Sequence, residues 1–204
     1  MGLMLHVDVA GRRAVVVGAG PAGREKVARL RAAGAEVVVV DPSAAPDGWG
    51  LGVTVVTRAF RADDLAGAAL VVAATDDGRV NDEVARAGRA DGAVVIRADR
   101  PDGGGVTFAA MLDEGPVTVG VATGGVSPAL ARWLRDRLAA VVTPAVGELA
   151  SLVAMRPRSG GRRGHGGLPL DEALALVESG DLAGAAELLG VTVPGSSTSR
   201  PRRR

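Results

Sequence analysis

The chain of 204 residues contains no cysteine and no tyrosine, and aromatic residues make up only 2% of it. Without cysteine it can form no disulfide, thiolate zinc site, iron–sulfur cluster or cysteine nucleophile. The lack of tyrosine excludes the Tyr-x-x-x-Lys acid–base pair of short-chain alcohol dehydrogenases. The few aromatic rings provide no platform for stacking bases, and a formal net charge of +1 provides no field that would attract nucleic acid or a membrane.

Long apolar runs are also missing. No run approaches membrane-spanning length, and the first residues carry no stretch typical of a signal peptide, so we expect a soluble cytoplasmic protein. Hydrophobic residues nevertheless make up 47% of the chain, mainly as Val, Ala and Leu, which is enough to build a core. The length allows one full domain plus a smaller appendage.

The segment AVVVGAGPAGREK, residues 14–26, is the most informative in the chain. An apolar run leads into a glycine turn and then into helix-favouring sequence, as in the unit that binds dinucleotide pyrophosphates. Gly18 permits the turn, Gly20 lets the backbone approach a phosphate, and Gly23 lets the helix pack against the strand. Pro21 is suited to the first helical position, where N–H groups and the helix dipole would hold the anion.

A second apolar run supports this interpretation. Glu36–Val40 follows the predicted helix Pro21–Ala33 and ends at Asp41, about 20 residues past the glycines, where a ribose-binding acid is expected. With no adjacent arginine, Asp41 favours NAD over NADP, because a carboxylate would repel a 2′-phosphate. The alternative is a plain glycine-rich strand–turn–helix with nothing bound.

Apolar runs and helical patterns alternate over the first half of the chain, which predicts a Rossmann-like α/β domain with a parallel sheet. The predicted elements after Asp41 are strands at Val53–Thr57, Leu70–Ala74 and Ala93–Ile96 and a helix over 79–90. Two further strands, Thr107–Met111 and Val117–Ala122, are joined by a turn signal at 113–116 and could form a hairpin that extends the sheet.

The second half is helical from Ser127 onward, with predicted helices from Pro128, over Pro144–Met155, and over Leu170–Ser179 and Asp181–Leu189. Apolar positions on the first two exceed what one side of a small domain needs. They form one stripe of Leu130, Leu134 and Leu138 and a second of Val142, Val146, Leu149 and Leu152. We therefore expect a homodimer, since a monomer would expose a large apolar patch.

Polar residues follow a predicted buried strand at Thr75, Asp76 and Asp77, with Asn81 a turn later. The carboxyl ends of strands form the edge at which open α/β sheets bind ligands, so Thr75 could hydrogen-bond a cofactor. Equally, Asp76 or Asp77 could cap the next helix with nothing bound.

Asp99 follows the next strand and could face the same crevice. Arg97 and Arg100 would favour its ionised form, which suits a base or a metal contact. The alternative is a surface ion pair in a loop.

A glycine pair precedes the next helix. Thr123, Gly124 and Gly125 lie just before Ser127, and this turn could bind an anionic group. An ordinary turn with a capped helix is the alternative.

Four elements together resemble a known family: VVVGAGPAGREK, AATDDGRVN, the DRP at 99–101, and ATGGVSPALARWLRDRL. Their order and spacing are similar to the amino-terminal module of siroheme synthase. Related stand-alone proteins are precorrin-2 dehydrogenases, some of which are also sirohydrochlorin ferrochelatases. The likeness covers roughly residues 3–142. It implies an NAD-binding domain followed by a small helical dimerisation region, and a reaction that removes a hydride and a proton from precorrin-2.

The resemblance also implies residue roles. The family's essential aspartate falls on Asp99, which would be the metal contact if ferrous iron is a second substrate. Thr123 matches a position that faces the tetrapyrrole in some members, and Arg132, Arg135 and Arg137 could meet the substrate carboxylates. The family's cofactor contacts fall on Pro21, Ala22, Pro42 and Ser43.

The chain departs from the family pattern at three places and also in its carboxyl-terminal helical region, which is shortened and interrupted by the basic linker. Ile96 replaces an asparagine, Glu25 replaces an arginine, and the loop at 102–105 is lengthened. A non-catalytic NAD-sensing module with the same fold is the alternative function, although such a module has no need of Asp99 or the TGGVSPALAR segment.

This interpretation divides the chain into five parts. They are an NAD-binding domain at 1–112, a strand and helical dimerisation or substrate region at 113–155, a flexible basic linker at 156–167, a short helical pair at 168–190 and a disordered tail at 191–204.

Overall fold

The computed structural model describes residues 2–100, 105–156 and 167–191. The chain divides into two compact units, Met1–Phe108 and Ala109–Arg204, whereas the sequence placed this boundary after residue 112. The predicted linker at 156–167 and the predicted tail at 191–204 lie almost entirely outside the described residues.

A five-stranded parallel sheet forms the centre of the first unit, and its strand order is β3-β2-β1-β4-β5. This confirms the predicted Rossmann-like α/β fold. The strands are β1 at Arg13–Val17, β2 at Glu36–Val40, β3 at Val53–Val56, β4 at Leu70–Ala73 and β5 at Val94–Arg97. The helices are α1 at Pro21–Ala32 and α2 at Gly78–Ala90, with a 3₁₀ turn at Ala62–Leu65.

Valine-rich strands cover both faces of this sheet with apolar side chains, as expected for a parallel sheet buried on both sides. Successive residues alternate between the faces. Val16 packs with Val27 and Leu30 of α1, whereas Val15 packs with Val84 of α2 on the opposite face. The two cores fix both helices against the sheet, and their amino-terminal ends lie beside the carboxyl ends of the strands.

The second unit begins with an antiparallel hairpin of β6 at Ala110–Glu114 and β7 at Val117–Val121. It forms a separate two-stranded sheet, so the predicted extension of the large sheet is wrong. The predicted strand Thr107–Met111 is also too early in the chain. Glu114 pairs directly with Val117, which leaves a two-residue turn in which Gly115 has a left-handed φ of 55°.

Within the described residues, four helices follow the hairpin: α3 at Pro128–Leu138, α4 at Pro144–Ala154, α5 at Leu170–Glu178 and α6 at Leu182–Leu188. Leu149 and Leu152 of α4 are buried in a core with Ala173 and Val177 of α5 and Ala185 of α6. The second predicted interface stripe is therefore largely covered by the chain itself. Within the described ranges, no helix is both long and apolar enough to span a membrane.

Candidate functional site

A cleft of about 640 Å³ opens at the carboxyl ends of the strands in the first unit. The connections from β1 and β4 leave this edge toward opposite faces of the sheet, which is where doubly wound sheets bind ligands. All eight residues predicted to bind the cofactor line this one cleft: Gly18, Gly20, Pro21, Ala22, Asp41, Pro42, Ser43 and Thr75. The sequence did not predict other lining residues, among them Ala59, Phe60 and Val80.

The three glycines of the turn play different parts. Gly18 has a φ of 111°, and a Cβ there would lie 2.4 Å from the Ala74 carbonyl oxygen. A Cβ at Gly23 would lie 2.0 Å from the Gly18 carbonyl oxygen. Both positions therefore require glycine, because any side chain would clash with the neighbouring backbone. A Cβ at Gly20 would meet no protein atom within 4 Å, so the open space beside this backbone faces the cleft and fits the close approach of a pyrophosphate.

Asp41 is fixed at the cleft by two backbone hydrogen bonds. Its Oδ2 accepts from the Ala19 N–H at 2.8 Å, and its Oδ1 accepts from the Ser43 N–H at 2.7 Å. An ionised carboxylate has about four acceptor positions, so both oxygens keep capacity for ribose hydroxyls. The acceptor oxygens of Asp41 fit the ribose of a dinucleotide, and the open space beside the Gly20 backbone fits its pyrophosphate.

Asn81 anchors Thr75 at the end of β4. This fully buried asparagine accepts through Oδ1 from the Thr75 N–H at 3.0 Å and from the Thr75 hydroxyl at 2.8 Å, and its Nδ2 donates to the Thr75 carbonyl at 2.9 Å. Because the hydroxyl proton is used within the protein, Thr75 can offer a ligand only an acceptor. Asp77 caps α2 by accepting from the Arg79 N–H at 2.8 Å, which confirms the capping interpretation for that residue.

Asp99 lies just after β5, at the same edge of the sheet, and is held by Arg97. Its Oδ1 accepts from Arg97 Nε at 3.0 Å and its Oδ2 accepts from Arg97 Nη2 at 2.7 Å. The Arg97 hydrogen bonds, together with one from Asn81, hold the pKa of Asp99 below its usual value against the opposing effect of burial. This confirms that Arg97 favours the ionised carboxylate. Arg97 is only 7% exposed, whereas Asp99 is exposed, so the pair joins a buried guanidinium to a carboxylate at the surface of the first unit.

Ile96, which stands where the related family has an asparagine, is buried in the core of the sheet. Its side chain is therefore part of the packing against α1 rather than part of the cleft lining. Among the described residues, no group of three or more His, Cys, Asp or Glu side chains could hold a metal ion.

In the second unit, the predicted substrate residues form a hydrogen-bonded turn. Gly124 and Gly125 have left-handed φ values of 62° and 85°. The Thr123 hydroxyl donates to the Ser127 carbonyl at 3.0 Å and accepts from the Ser127 N–H at 3.2 Å. Ser127 Oγ accepts from the Leu130 N–H at 3.1 Å, so Ser127 is the N-cap of α3.

The parallel sheet, the glycine turn and the acid at the end of β2 define a dinucleotide-binding protein of the Rossmann type. Comparison with protein families agrees, because residues 5–110 match the family described as putative NAD(P)-binding. The chain belongs to this family. Residues 114–140 match the central region of sirohaem biosynthesis proteins.

Curated relatives confirm the resemblance found in the sequence motifs. The chain is 36% identical to siroheme synthase of Nitrosococcus oceani over 159 residues, which is 74% of this chain and 33% of that protein. It is 40% identical to siroheme synthase of Methylococcus capsulatus over 145 residues, or 69% of this chain and 30% of that protein. The chain thus spans about a third of the length of these relatives.

A solved structure has the same fold. The structure titled "SirC, precorrin-2 dehydrogenase" superimposes with a TM-score of 0.66 at 20% sequence identity, covering 92% of this chain and 97% of that one.

Proposed function

We propose that this protein oxidises precorrin-2 to sirohydrochlorin, with NAD as the hydride acceptor, in siroheme biosynthesis in the cytoplasm. The observation that carries the proposal is that the cleft and a fixed, ionised carboxylate lie at the same edge of the sheet. There the cleft lies at the carboxyl ends of β1, β2 and β4. The carboxylate of Asp99, held in its ionised form by Arg97, follows β5, which is paired with β4.

The cofactor would lie along the cleft. The backbone from Gly18 to Ala22 would hold the pyrophosphate, Asp41 with Pro42 and Ser43 would hold the adenosine ribose, and Thr75 would accept a hydrogen bond. NAD, when bound, supplies the hydride acceptor. The Asp41 carboxylate would exclude the 2′-phosphate of NADP by charge repulsion.

Asp99 would accept the proton that precorrin-2 loses. The turn formed by Thr123, Gly124, Gly125 and Ser127 would contact the tetrapyrrole, and cationic side chains of α3 would meet its carboxylates. These are Arg132, Arg135 and Arg137, of which Arg135 pairs with Asp136 and Arg137 lies 5.1 Å from the Trp133 ring centroid.

We also propose a homodimer formed through α3. Leu130, Leu134, Leu138 and the large Trp133 ring on this helix are all at least one-third exposed, which is unusual for four large apolar residues on one short helix.

A direct assay tests the function. Pure protein mixed with precorrin-2 and NAD should produce sirohydrochlorin and NADH in equal amounts, followed by absorbance. Adding ferrous iron to the same reaction tests whether the protein also inserts iron, with Asp99 as the contact. Tight binding of NAD without turnover would instead indicate a non-catalytic NAD-sensing module.

A further inference from the structure

The Arg97 side chain is an unusual feature of the first unit. Among the described residues it is the one charged side chain that is buried. Burying a charge is costly unless the charge is paired and hydrogen-bonded. Here the guanidinium forms ion pairs with two carboxylates, Asp99 and Asp82. These two pairs compensate the cost of burying its charge.

The geometry of the pair with Asp99 is bidentate. Two nitrogens on one edge of the planar guanidinium, Nε and Nη2, donate to the two oxygens of Asp99 at 3.0 and 2.7 Å. Two parallel hydrogen bonds fix the plane of the carboxylate as well as its position. Without Arg97, the Asp99 carboxylate would keep the side-chain hydrogen bond from Asn81, and one such bond does not fix the plane of the carboxylate.

The third nitrogen ties this pair to a second element. Arg97 Nη1 donates to Oδ1 of Asp82 on α2, and Asp82 is more than half exposed. The guanidinium is thereby held between the end of β5 and the first turns of α2. Asn81, the neighbouring residue on α2, binds Thr75 at the cleft, so one helix supports both the cofactor cleft and Asp99.

We propose that Arg97 is a positioning residue for the Asp99 carboxylate, holding it in one orientation at the edge of the sheet through its bidentate contact. This inference rests on the proposed dehydrogenase function. A displacement of about 1 Å at a reacting group can lower a rate by about a hundredfold. Loss of the Arg97 contact should therefore lower the rate even though Asp99 itself is still present.

A set of variants tests the proposal in the full-length protein. Arg97→Met removes the guanidinium but keeps much of the apolar stem, and Arg97→Lys keeps a charge that cannot form the planar two-bond contact. Asp82→Asn is the matched control, because it removes the other ion pair and leaves both hydrogen bonds to Asp99. For each variant, kcat and KM for precorrin-2, NAD affinity by calorimetry and the melting temperature are measured.

We expect Arg97→Met to lower kcat by about ten- to a hundredfold with unchanged NAD affinity. Arg97→Lys should recover only part of this loss, and Asp82→Asn should retain most of the activity. Combining Arg97→Met with Asp99→Asn should lower kcat no further than Asp99→Asn alone, because residues that act as one unit are not additive.

Wild-type kcat in Arg97→Met would overturn the proposal, and so would a double variant whose loss is the product of the two single losses. If Arg97→Met melts below the assay temperature, Arg97→Lys decides, and full activity in it would overturn the bidentate role. A wild-type protein that binds NAD and does not turn over precorrin-2 would refute the proposed function itself, which separates the two failures.

Discussion

The Asp41 carboxylate accepts a hydrogen bond from the Ala19 backbone N–H at 2.8 Å, joining the end of β2 to the glycine loop after β1. The bond lies within the protein and holds the carboxylate at the cleft. A prearranged acceptor loses less side-chain entropy when a ligand binds. The same fixed charge should select between the two nicotinamide dinucleotides.

We predict that NAD binds at least about ten times more tightly than NADP, a difference of about 1.4 kcal/mol or more. The fixed carboxylate would accept from the ribose hydroxyls of NAD and repel the 2′-phosphate of NADP. Calorimetry with each nucleotide measures the ratio. Equal affinities would show that Asp41 does not face the ribose, and Asp41→Asn should reduce the preference by removing the repulsion.

Gly20→Val should abolish binding of either nucleotide without unfolding the protein. The folded chain leaves space for the side chain, whereas the bound pyrophosphate would need that space. Gly23→Val is the matched control, because its Cβ would lie 2.0 Å from the Gly18 carbonyl oxygen and should lower the melting temperature. Nucleotide binding retained in a folded Gly20→Val protein would contradict the assignment of the cleft.

Asp99→Asn should keep the fold and NAD affinity and lose most dehydrogenase activity, by about a hundredfold or more. The amide has nearly the same shape as the carboxylate and cannot accept the substrate proton. Stopped-flow or steady-state formation of sirohydrochlorin measures the effect. Near wild-type turnover would leave Asp99 as a structural partner of Arg97. If the protein also inserts iron, loss of both activities would indicate one shared site.

Asp64 should make stability depend on pH in the acidic range. Arg58 donates to both of its oxygens, at 2.9 and 2.5 Å, and these bonds lower the pKa of Asp64. A lowered pKa in the folded state contributes stability that is present above the unfolded pKa and is lost as the pH falls through the folded one.

The free energy of unfolding should therefore differ between the wild type and Asp64→Asn at neutral pH, with the variant less stable. Urea titrations from about pH 6 to pH 3 should show this difference shrinking. Asp63→Asn, at the exposed neighbouring position, removes the same charge and should show a smaller difference. A constant difference across the range would mean that the Arg58 pair does not contribute.

Leu134→Glu should convert the proposed dimer to a monomer. Leu134 is 36% exposed within its own chain, so the substitution leaves the fold intact, whereas an unpaired charge in an interface should cost several kcal/mol (about 3–5). Light scattering at micromolar concentration measures the mass. Leu182→Glu, at an exposed position on α6, is the control and should not change it. A monomeric wild type would refute the dimer.

Much of the first unit could be predicted from local sequence. Strand β2 occurs at Glu36–Val40 as predicted, because Gly34 ends the preceding turn and Asp41 ends the apolar run. The glycine turn and the acid likewise predicted the cleft, since the carboxyl ends of parallel strands necessarily meet at one edge. Such features are specified within a few residues of each other.

Features set by distant partners could not be predicted. The hairpin register depends on which residue pairs with Val117. The sequence signal for the turn covers four residues, 113–116, but Glu114 pairs with Val117, so the turn itself has only two residues. The sequence also shows Arg97 beside Asp99, but not that its guanidinium is buried and reaches Asp82, 15 residues earlier on α2. The covering of Leu149 and Leu152 required α5 and α6 to pack on α4.

The strand order has a consequence for how the protein is made. Of the five strands of this sheet, β1 is translated first and lies at the centre, and β2 then β3 add to one side while β4 then β5 add to the other. Each strand can therefore join an open edge as it is synthesised. No strand has to be inserted between two that are already paired, and the last strand of the sheet ends at Arg97, so the sheet can form without any residue of the second unit.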